Sequence, residues 1–352
     1  MSTASMHIDP LVALAGLLVG FTVGLTGMGG GALMTPILVL LFKIQPLTAV
    51  SSDLVASMVM KPVGGSVHAR RGTVNWEIVK WLCIGSVPSA FAGVLILRSL
   101  GSGSAIQSRL KVILGAALLI ASTSIVVKSY LQGRRSRRLR NMAVASEAER
   151  FRLRKAPTLL IGILGGLIVG MTSVGSGSLI IVCLLMLYPR LTSRELVGTD
   201  LVQAIPLVAS AALGHILFGS FQLGLTGSIL IGSLPGAYLG AKLSSRAPDG
   251  VIRPALVFVL LASALKLLNV TTANAGLILL AVTLVGLPLW GMIDAAGRDG
   301  PCWTLAGKSR SHWVRIQALG APFGVGFVAS IVYFARVRPE LEAATVQVLQ
   351  AA

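Results

Sequence analysis

The chain has 352 residues, of which 54% are hydrophobic and only 12% are charged. Because a soluble domain carries roughly 25% charged residues, and because apolar stretches longer than about 18 residues recur, we predict an all-α polytopic membrane protein. The net charge of +18 does not indicate nucleic-acid binding, since most Lys and Arg lie between apolar stretches, where cytoplasmic loops collect them.

The first apolar segment, Leu11–Phe42, is too long for one helix across a hydrocarbon core about 30 Å thick. A glycine-rich run at residues 24–31 interrupts it, so we predict two half-helices that meet at a break. Three spans are predicted next, at Leu47–Ser66, Trp76–Leu97 and Leu110–Leu131. A basic cytoplasmic linker is predicted next, over residues 132–156, and residues 11–131 are predicted to form the first of two repeats.

Residues 157–270 are predicted to repeat this plan. A broken segment at Thr158–Tyr188 surrounds a second glycine-rich break. The spans that follow it are predicted near Leu196–Phe218, Leu223–Ser244 and Ile252–Leu268. Two further apolar stretches, Ala275–Ile293 and Leu319–Ala335, have no partner in the duplication, so residues 274–336 are expected to form an appended two-span hairpin.

The duplication is visible in residue types that recur at a fixed offset. With an offset of 147, six residues return unchanged: Asp53, His68, Gly72, Gly85, Pro88 and Gly93 match Asp200, His215, Gly219, Gly232, Pro235 and Gly240. With an offset of 146, Gly24, Thr26, Gly29, Gly31 and Leu33 match Gly170, Thr172, Gly175, Gly177 and Leu179. Duplicated units with glycine-broken apolar segments are typical of secondary transporters.

The charge of the loops bears on the topology of the two repeats. If each broken segment crossed the membrane once, the repeats would be parallel and Lys and Arg would be divided almost evenly between the two sides. If each segment folds back as a re-entrant hairpin, the repeats are inverted and most Lys and Arg lie inside. The positive-inside rule therefore favours inverted repeats with re-entrant hairpins. Both termini would then be outside.

The two breaks are the leading candidates for a substrate site, because unwound backbone at membrane depth lines a cavity or is buried in protein. Each following half-helix directs its free N–H groups and the positive end of its dipole towards the break, which suits an anion. The candidate ligands are Thr26, Gly29, Gly30, Gly31, Thr172, Gly175, Ser176 and Gly177. The alternative is that small residues merely let helices pack closely, and this fits Gly85, Pro88, Gly93 and their counterparts best.

Two pairs of repeated residues are candidates for proton coupling. Asp53 and Asp200 lie near the predicted start of a span, where helix capping is the alternative role. His68 and His215 follow 15 residues later, about 22 Å along a helix, so Asp and His cannot touch within one repeat. In inverted repeats the Asp of one unit approaches the depth of the other unit's His, which could carry a proton. A His at the membrane interface is the alternative.

Lys61 lies in the middle of a predicted span, and an intramembrane Lys indicates a functional site. It is a further candidate for binding an anionic substrate. Its counterpart in the second repeat is Val208, so the duplication does not support it, and snorkelling to the interface is the alternative.

Cofactors and secretion signals are not indicated. The cysteines, Cys83, Cys183 and Cys302, have no metal-ligand spacing and suggest no disulfide framework. We therefore expect no metal and no cofactor. The N-terminus lacks a basic region and a convincing cleavage site, so no signal peptide is predicted.

Four sequence marks resemble the TauE/SafE sulfite exporter family, also called the 4-toluene sulfonate uptake permease family. They are residues Gly24–Leu33, Val197–Leu201, Gly214–His215 and Gly232–Gly236, and the similarity runs from about Leu11 to Leu268. The resemblance implies transport of sulfite, sulfonates, sulfoacetate or similar anions across a bacterial plasma membrane, coupled to an ion gradient. The basic linker and the tail from Asn274 onward depart from the family pattern.

We therefore expect a secondary anion transporter rather than an enzyme, with an anionic substrate and the lipid bilayer as partners and an oligomeric state that the sequence does not define. An anion channel is one alternative. Another is an intramembrane serine hydrolase that pairs Ser176 with His215, although Ser176 aligns with Gly30. A scaffold role is the third, and the breaks kept in both repeats argue against it.

Overall fold

The computed structural model describes residues 9–26, 31–70, 72–101, 103–142, 153–188, 191–218, 221–243, 249–281, 286–296, 298, 300–320 and 325–351. These residues form helices and short connections, with no strand in the part of the chain described. The predicted all-α class is confirmed. Five described helices are long and apolar enough to cross a membrane, so the chain is a multi-pass membrane protein.

Ten helices follow the order of the predicted duplication. The first repeat consists of α1 (Pro10–Thr26), α2 (Gly31–Leu40), α3 (Pro46–Arg70), α4 (Trp76–Ser99) and α5 (Ser104–Met142). The second consists of α6 (Lys155–Thr172), α7 (Leu179–Leu187), α8 (Ser193–Phe218), α9 (Leu223–Leu243) and α10 (Asp249–Leu267). Each helix of the first repeat thus has one counterpart in the second.

The second broken segment folds back on itself as a hairpin. Helix α6 ends at Thr172 because Ser173 adopts a left-handed φ of 61°, a common way for a helix to end. At the other end of the segment, the hydroxyl of Tyr188 lies 2.5 Å from that of Thr158 and accepts from the N–H of Arg154 at 3.0 Å. The end of α7 therefore returns to the start of α6.

Helices from different repeats pack closely through small residues. A Cβ on Gly16 of α1 would lie 2.8 Å from the carbonyl oxygen of Ile229 in α9. At the equivalent position of the other repeat, a Cβ on Gly162 of α6 would lie 2.5 Å from that of Leu82 in α4. The packing interpretation is likewise confirmed for Gly85, Gly93, Gly232 and Gly240, each of which meets the backbone of the neighbouring helix.

The directions of the helices require a hairpin in the first repeat as well. Helices α1 and α9 run parallel, because residues further along α1 contact residues further along α9. Helices α3 and α9 are also parallel, since Ser52 contacts Thr226 and Met60 contacts Ser233. Helices α1 and α3 therefore run in the same direction, so α2 returns between them. Helices α3 and α8, which are counterparts, run antiparallel, since Ser51 meets His215 while Gly65, later in α3, meets Ile205, earlier in α8. Inverted repeats require this arrangement, and their orientation in the membrane stays a prediction.

Helix α5 continues into the region predicted to be a linker. It runs for 39 residues to Met142, about 58 Å at the usual rise of an α-helix, and so extends well beyond the expected end at Leu131. Five of residues 132–142 are Arg, which favours helix. Residues 143–152 of the predicted linker lie outside the described part of the chain.

The two predicted spans of the tail stay a prediction, and its described residues form helices. They are α11 (Thr272–Ala281), α12 (Leu287–Ala296), α13 (Gly300–Leu305), α14 (Arg310–Gly320), α15 (Val325–Val332), a π-helical turn (Tyr333–Val337) and α16 (Arg338–Ala351). Trp303, Tyr333 and Leu341 belong to a separate core, and Arg298 pairs with Asp294 and Glu342. Residues 282–285 and 321–324 of the expected spans are not described.

Candidate functional site

Helix α3 carries a row of buried polar side chains through the centre of the protein. Ser51, Ser52, Asp53, Ser57 and Lys61 are all at most 9% exposed. Helix α3 is accordingly not among the five helices that are apolar enough to span on composition alone. Polar and ionisable residues at such depth are costly to bury and mark functional sites.

Lys61 reaches from α3 to the break of the second repeat. Its Nζ donates a hydrogen bond of 2.5 Å to the hydroxyl of Ser176. Ser176 stands between Gly175 and Gly177, whose φ values of 115° and 98° favour glycine because a Cβ resists them. The structure thus brings together two of the predicted substrate ligands, and Lys61 does not snorkel to the interface.

Asp53 connects the two hairpins. Its carboxylate accepts hydrogen bonds from the hydroxyl of Thr35 in α2 at 2.7 Å and from that of Ser173 in the second break at 2.8 Å. The predicted alternative of helix capping is wrong for both acids, since α3 begins at Pro46 and α8 at Ser193, well before Asp53 and Asp200. Both carboxylates instead lie within a helix and are buried.

Asp200 is the second buried carboxylate near Lys61. Both Asp200 and Asp53 attract the Lys61 ammonium. The carboxylate of Asp200 accepts a bond of 3.3 Å from the side-chain amide of Gln203, whose oxygen accepts from the hydroxyl of Ser86 in α4 at 3.3 Å. The charged cluster therefore continues as a polar chain to the neighbouring helix.

His215 meets the start of α3, as the comparison of inverted repeats predicts. Its Nε2 donates to the carbonyl oxygen of Gly170 at 2.9 Å, and its Nδ1 lies 2.8 Å from the hydroxyl of Ser51, two residues before Asp53. His215 is fully buried, so the interface alternative is wrong for it. Both ring nitrogens are engaged away from Ser176, and the Ser–His pair of a hydrolase is not formed. His68 lies in α3, and its side chain is outside the described part.

The two breaks meet directly. A Cβ on Gly31, the first residue of α2, would overlap the carbonyl oxygen and hydroxyl of Ser173, so close packing accounts for glycine at this position. Gly29 and Gly30 lie outside the described residues. Thr26 ends α1, and its side chain is not described either. The space between the breaks is therefore closed at Gly31 in this conformation.

Thr172 shapes the second break from within. Its hydroxyl donates to the carbonyl oxygen of Ile168 at 2.6 Å and accepts from the N–H of Val174 at 3.1 Å. Since its one proton is directed to a backbone carbonyl, Thr172 offers no donor to an anion in this conformation. The first backbone hydrogen bond of the following half-helix runs from the N–H of Leu179 to the carbonyl oxygen of Gly175 at 3.1 Å. Ser176 therefore lies before the first residue whose N–H is bonded within this helix.

Several residues of the cluster were missed by the sequence interpretation. They are Thr35, Ser51, Ser173 and Gln203, all of them buried. Each is a polar residue in apolar sequence, which is the signal that could have identified them. In the part of the chain described, no group of three His, Cys, Asp or Glu side chains is placed to hold a metal ion.

Comparisons with known proteins place this architecture in a family. The family model described as sulfite exporter TauE/SafE matches residues 12–267. A probable membrane transporter protein of Bacillus subtilis, YjnA, is 38% identical over 73% of this chain and 98% of its own length. A second from the same organism, YdhB, is 27% identical over 77% and 99%. No solved structure matches. The chain is therefore a membrane transporter that belongs to the TauE/SafE sulfite exporter family.

Proposed function

We propose that this membrane transporter carries small sulfur-containing or organic anions, such as sulfite, sulfonates or sulfoacetate, across the plasma membrane, coupled to an ion gradient. The observation that supports the proposal most is the buried ammonium of Lys61 hydrogen-bonded to Ser176 in the second break. A cation at this depth is costly to bury. A transported anion supplies a reason to keep it there.

The surroundings of Lys61 suit an anion that must also be released. Ser176 has a hydroxyl and belongs to the turn that precedes the half-helix α7, whose dipole favours negative charge at this end. Asp53 and Asp200 compete with the anion for the Lys61 ammonium. Binding through one shared cation and neutral donors is weaker than binding through a dedicated pair of Arg side chains, which suits a carrier.

Alternating access follows from the two hairpins. Asp53 and Gly31 hold the second break against the first, and we propose that these contacts open towards one side of the membrane at a time. In transporters built from inverted repeats, the two sets of helices move against each other around a fixed central site. The anion would bind between the breaks, beside Lys61.

Counterflow in proteoliposomes tests both the substrate class and the carrier mechanism. Vesicles loaded with one sulfur anion should accumulate the labelled anion transiently against its gradient, which an open channel does not allow. Lys61→Met should weaken the apparent affinity about 10- to 150-fold, the equivalent of a charged hydrogen bond worth about 1.5–3 kcal/mol.

Lys80→Met is the matched control, because Lys80 is an exposed lysine on α4 of the same repeat. It should leave the affinity unchanged. Lys61→Arg keeps the charge and should retain part of the binding, which separates loss of the ammonium from misfolding. Normal transport by correctly inserted Lys61→Met would refute the proposed site.

A further inference from the structure

Among the described residues, the charges buried around the site do not balance. Lys61, Asp53 and Asp200 are 9%, 3% and 1% exposed, so two carboxylates share one ammonium. Bound to this cluster, an anion would add a third negative charge against a single positive one. Burying an uncompensated charge costs several kcal/mol, so a proton that enters with the anion removes most of this cost.

On this basis, and resting on the anion transport proposed above, we propose that Asp53 takes up one proton with each anion, so that the protein is an anion–proton symporter. The assignment comes from the partners of the two acids. Asp200 accepts a hydrogen bond from Gln203, one turn further along its own helix. Asp53 receives its hydrogen bonds from the neutral hydroxyls of Thr35 and Ser173.

The position of Asp53 also links the proton to the anion site mechanically. Ser173, which donates to Asp53, is three residues from Ser176, which accepts from Lys61. An ionised carboxylate only accepts hydrogen bonds, whereas a protonated one also donates. Protonation of Asp53 therefore changes the bonds that hold the second break against α3 and α2, at the moment when the anion draws Lys61 away from Ser176.

The other described groups around Asp53 leave it as the proton site. On its own helix the nearest described charge is Lys61, eight residues or about 12 Å along the axis. On α8, Asp200 attracts the Lys61 ammonium and accepts from Gln203, and His215 bonds to Ser51 and to the carbonyl of Gly170. Helix α2 contains no charged residue, and α9 carries only Lys242, in its last turn.

Proton uptake on binding tests the assignment in the full-length protein. The purified chain is titrated with methanesulfonate in weakly buffered detergent solution that contains a pH indicator. Methanesulfonate stays anionic throughout, so every proton taken up belongs to the protein. About one proton should enter per bound anion, and the affinity should fall as pH rises, by up to tenfold per pH unit.

Variants then locate the proton. Asp53→Asn keeps a hydrogen-bond acceptor but has no charge, so it should bind methanesulfonate without proton uptake and with little dependence on pH. His215→Gln should retain the uptake of wild type. Uptake that persists in Asp53→Asn, or that disappears in Asp200→Asn or His215→Gln alone, would assign the proton elsewhere and overturn the inference.

The outcomes also separate this inference from the proposed function. Binding of methanesulfonate by the wild type without proton uptake would overturn the symport inference and leave anion transport intact. If neither methanesulfonate nor any other anion of the counterflow panel binds, the proposed function fails and the inference fails with it. Should Asp53→Asn not fold, uptake by wild type that survives in both Asp200→Asn and His215→Gln still supports Asp53, and its loss in either refutes it.

Discussion

The contact between the two breaks predicts that one added methyl group, as in Gly31→Ala, lowers both stability and substrate binding. A Cβ on Gly31 would overlap two oxygen atoms of Ser173 and lie 2.8 Å from its carbonyl carbon, where ordinary contacts are 3.4–4 Å. Gly31→Ala must therefore push the hairpins apart by more than half an ångström. Overpacking of this kind costs about 1–3 kcal/mol, and Ser173 would move away from Asp53.

We expect Gly31→Ala to lower the thermal stability in detergent and to weaken methanesulfonate binding about 5- to 150-fold, the range that follows from this cost. The matched control is Gly227→Ala in α9, where a Cβ has no atom within 4 Å. It should be as stable as wild type or slightly more so, because Ala favours helix. If Gly31→Ala keeps wild-type stability and binding, the breaks do not meet as described and the argument for a closed site fails.

Two further predictions concern topology and the tail. In a cysteine-free background, single cysteines that replace Arg70 or Lys242 should both be labelled only from the cytoplasm. The reason is that α3 and α9 run parallel and the loop charges place the ends of both helices inside. Labelling of position 242 from outside would contradict the predicted orientation. A chain that ends near Asn274 should insert and still transport, since the tail has a core of its own. Normal insertion without activity would show that the tail takes part in the mechanism.

The fold was largely predictable because the duplication constrains both the order of the helices within a repeat and the way in which the two repeats face each other. Asp53 and His215 come from different repeats, yet their approach follows from reversing one repeat against the other, and His215 does bond beside Asp53, at Ser51. The tail was not predictable in this way, because it has no counterpart. Its apolar stretches predict spans, but they give no sign of the ion pair of Arg298 with Glu342, which connects residues distant in the sequence.

The central contact of the site was hidden by the same comparison that revealed the fold. Lys61 aligns with Val208 and Ser176 with Gly30. Because neither residue is repeated in the other half, the duplication gave no support for placing either of them in the site. The structure joins these two exceptions in one hydrogen bond. A function that needs one cation rather than two must break the symmetry, and polar residues without a counterpart are then the most informative ones.

The packing of each repeat's first helix against the other repeat has a mechanical consequence. Because α1 lies along α9, and α6 along α4, through glycine contacts too close to slide without strain, each hairpin is anchored to helices of the opposite half of the chain. In the alternating access proposed above, we expect the moving bodies to cut across the sequence duplication. A displacement that begins at one break would pass to the far half through α9 or α4, so we expect the two halves of the polypeptide to change state together.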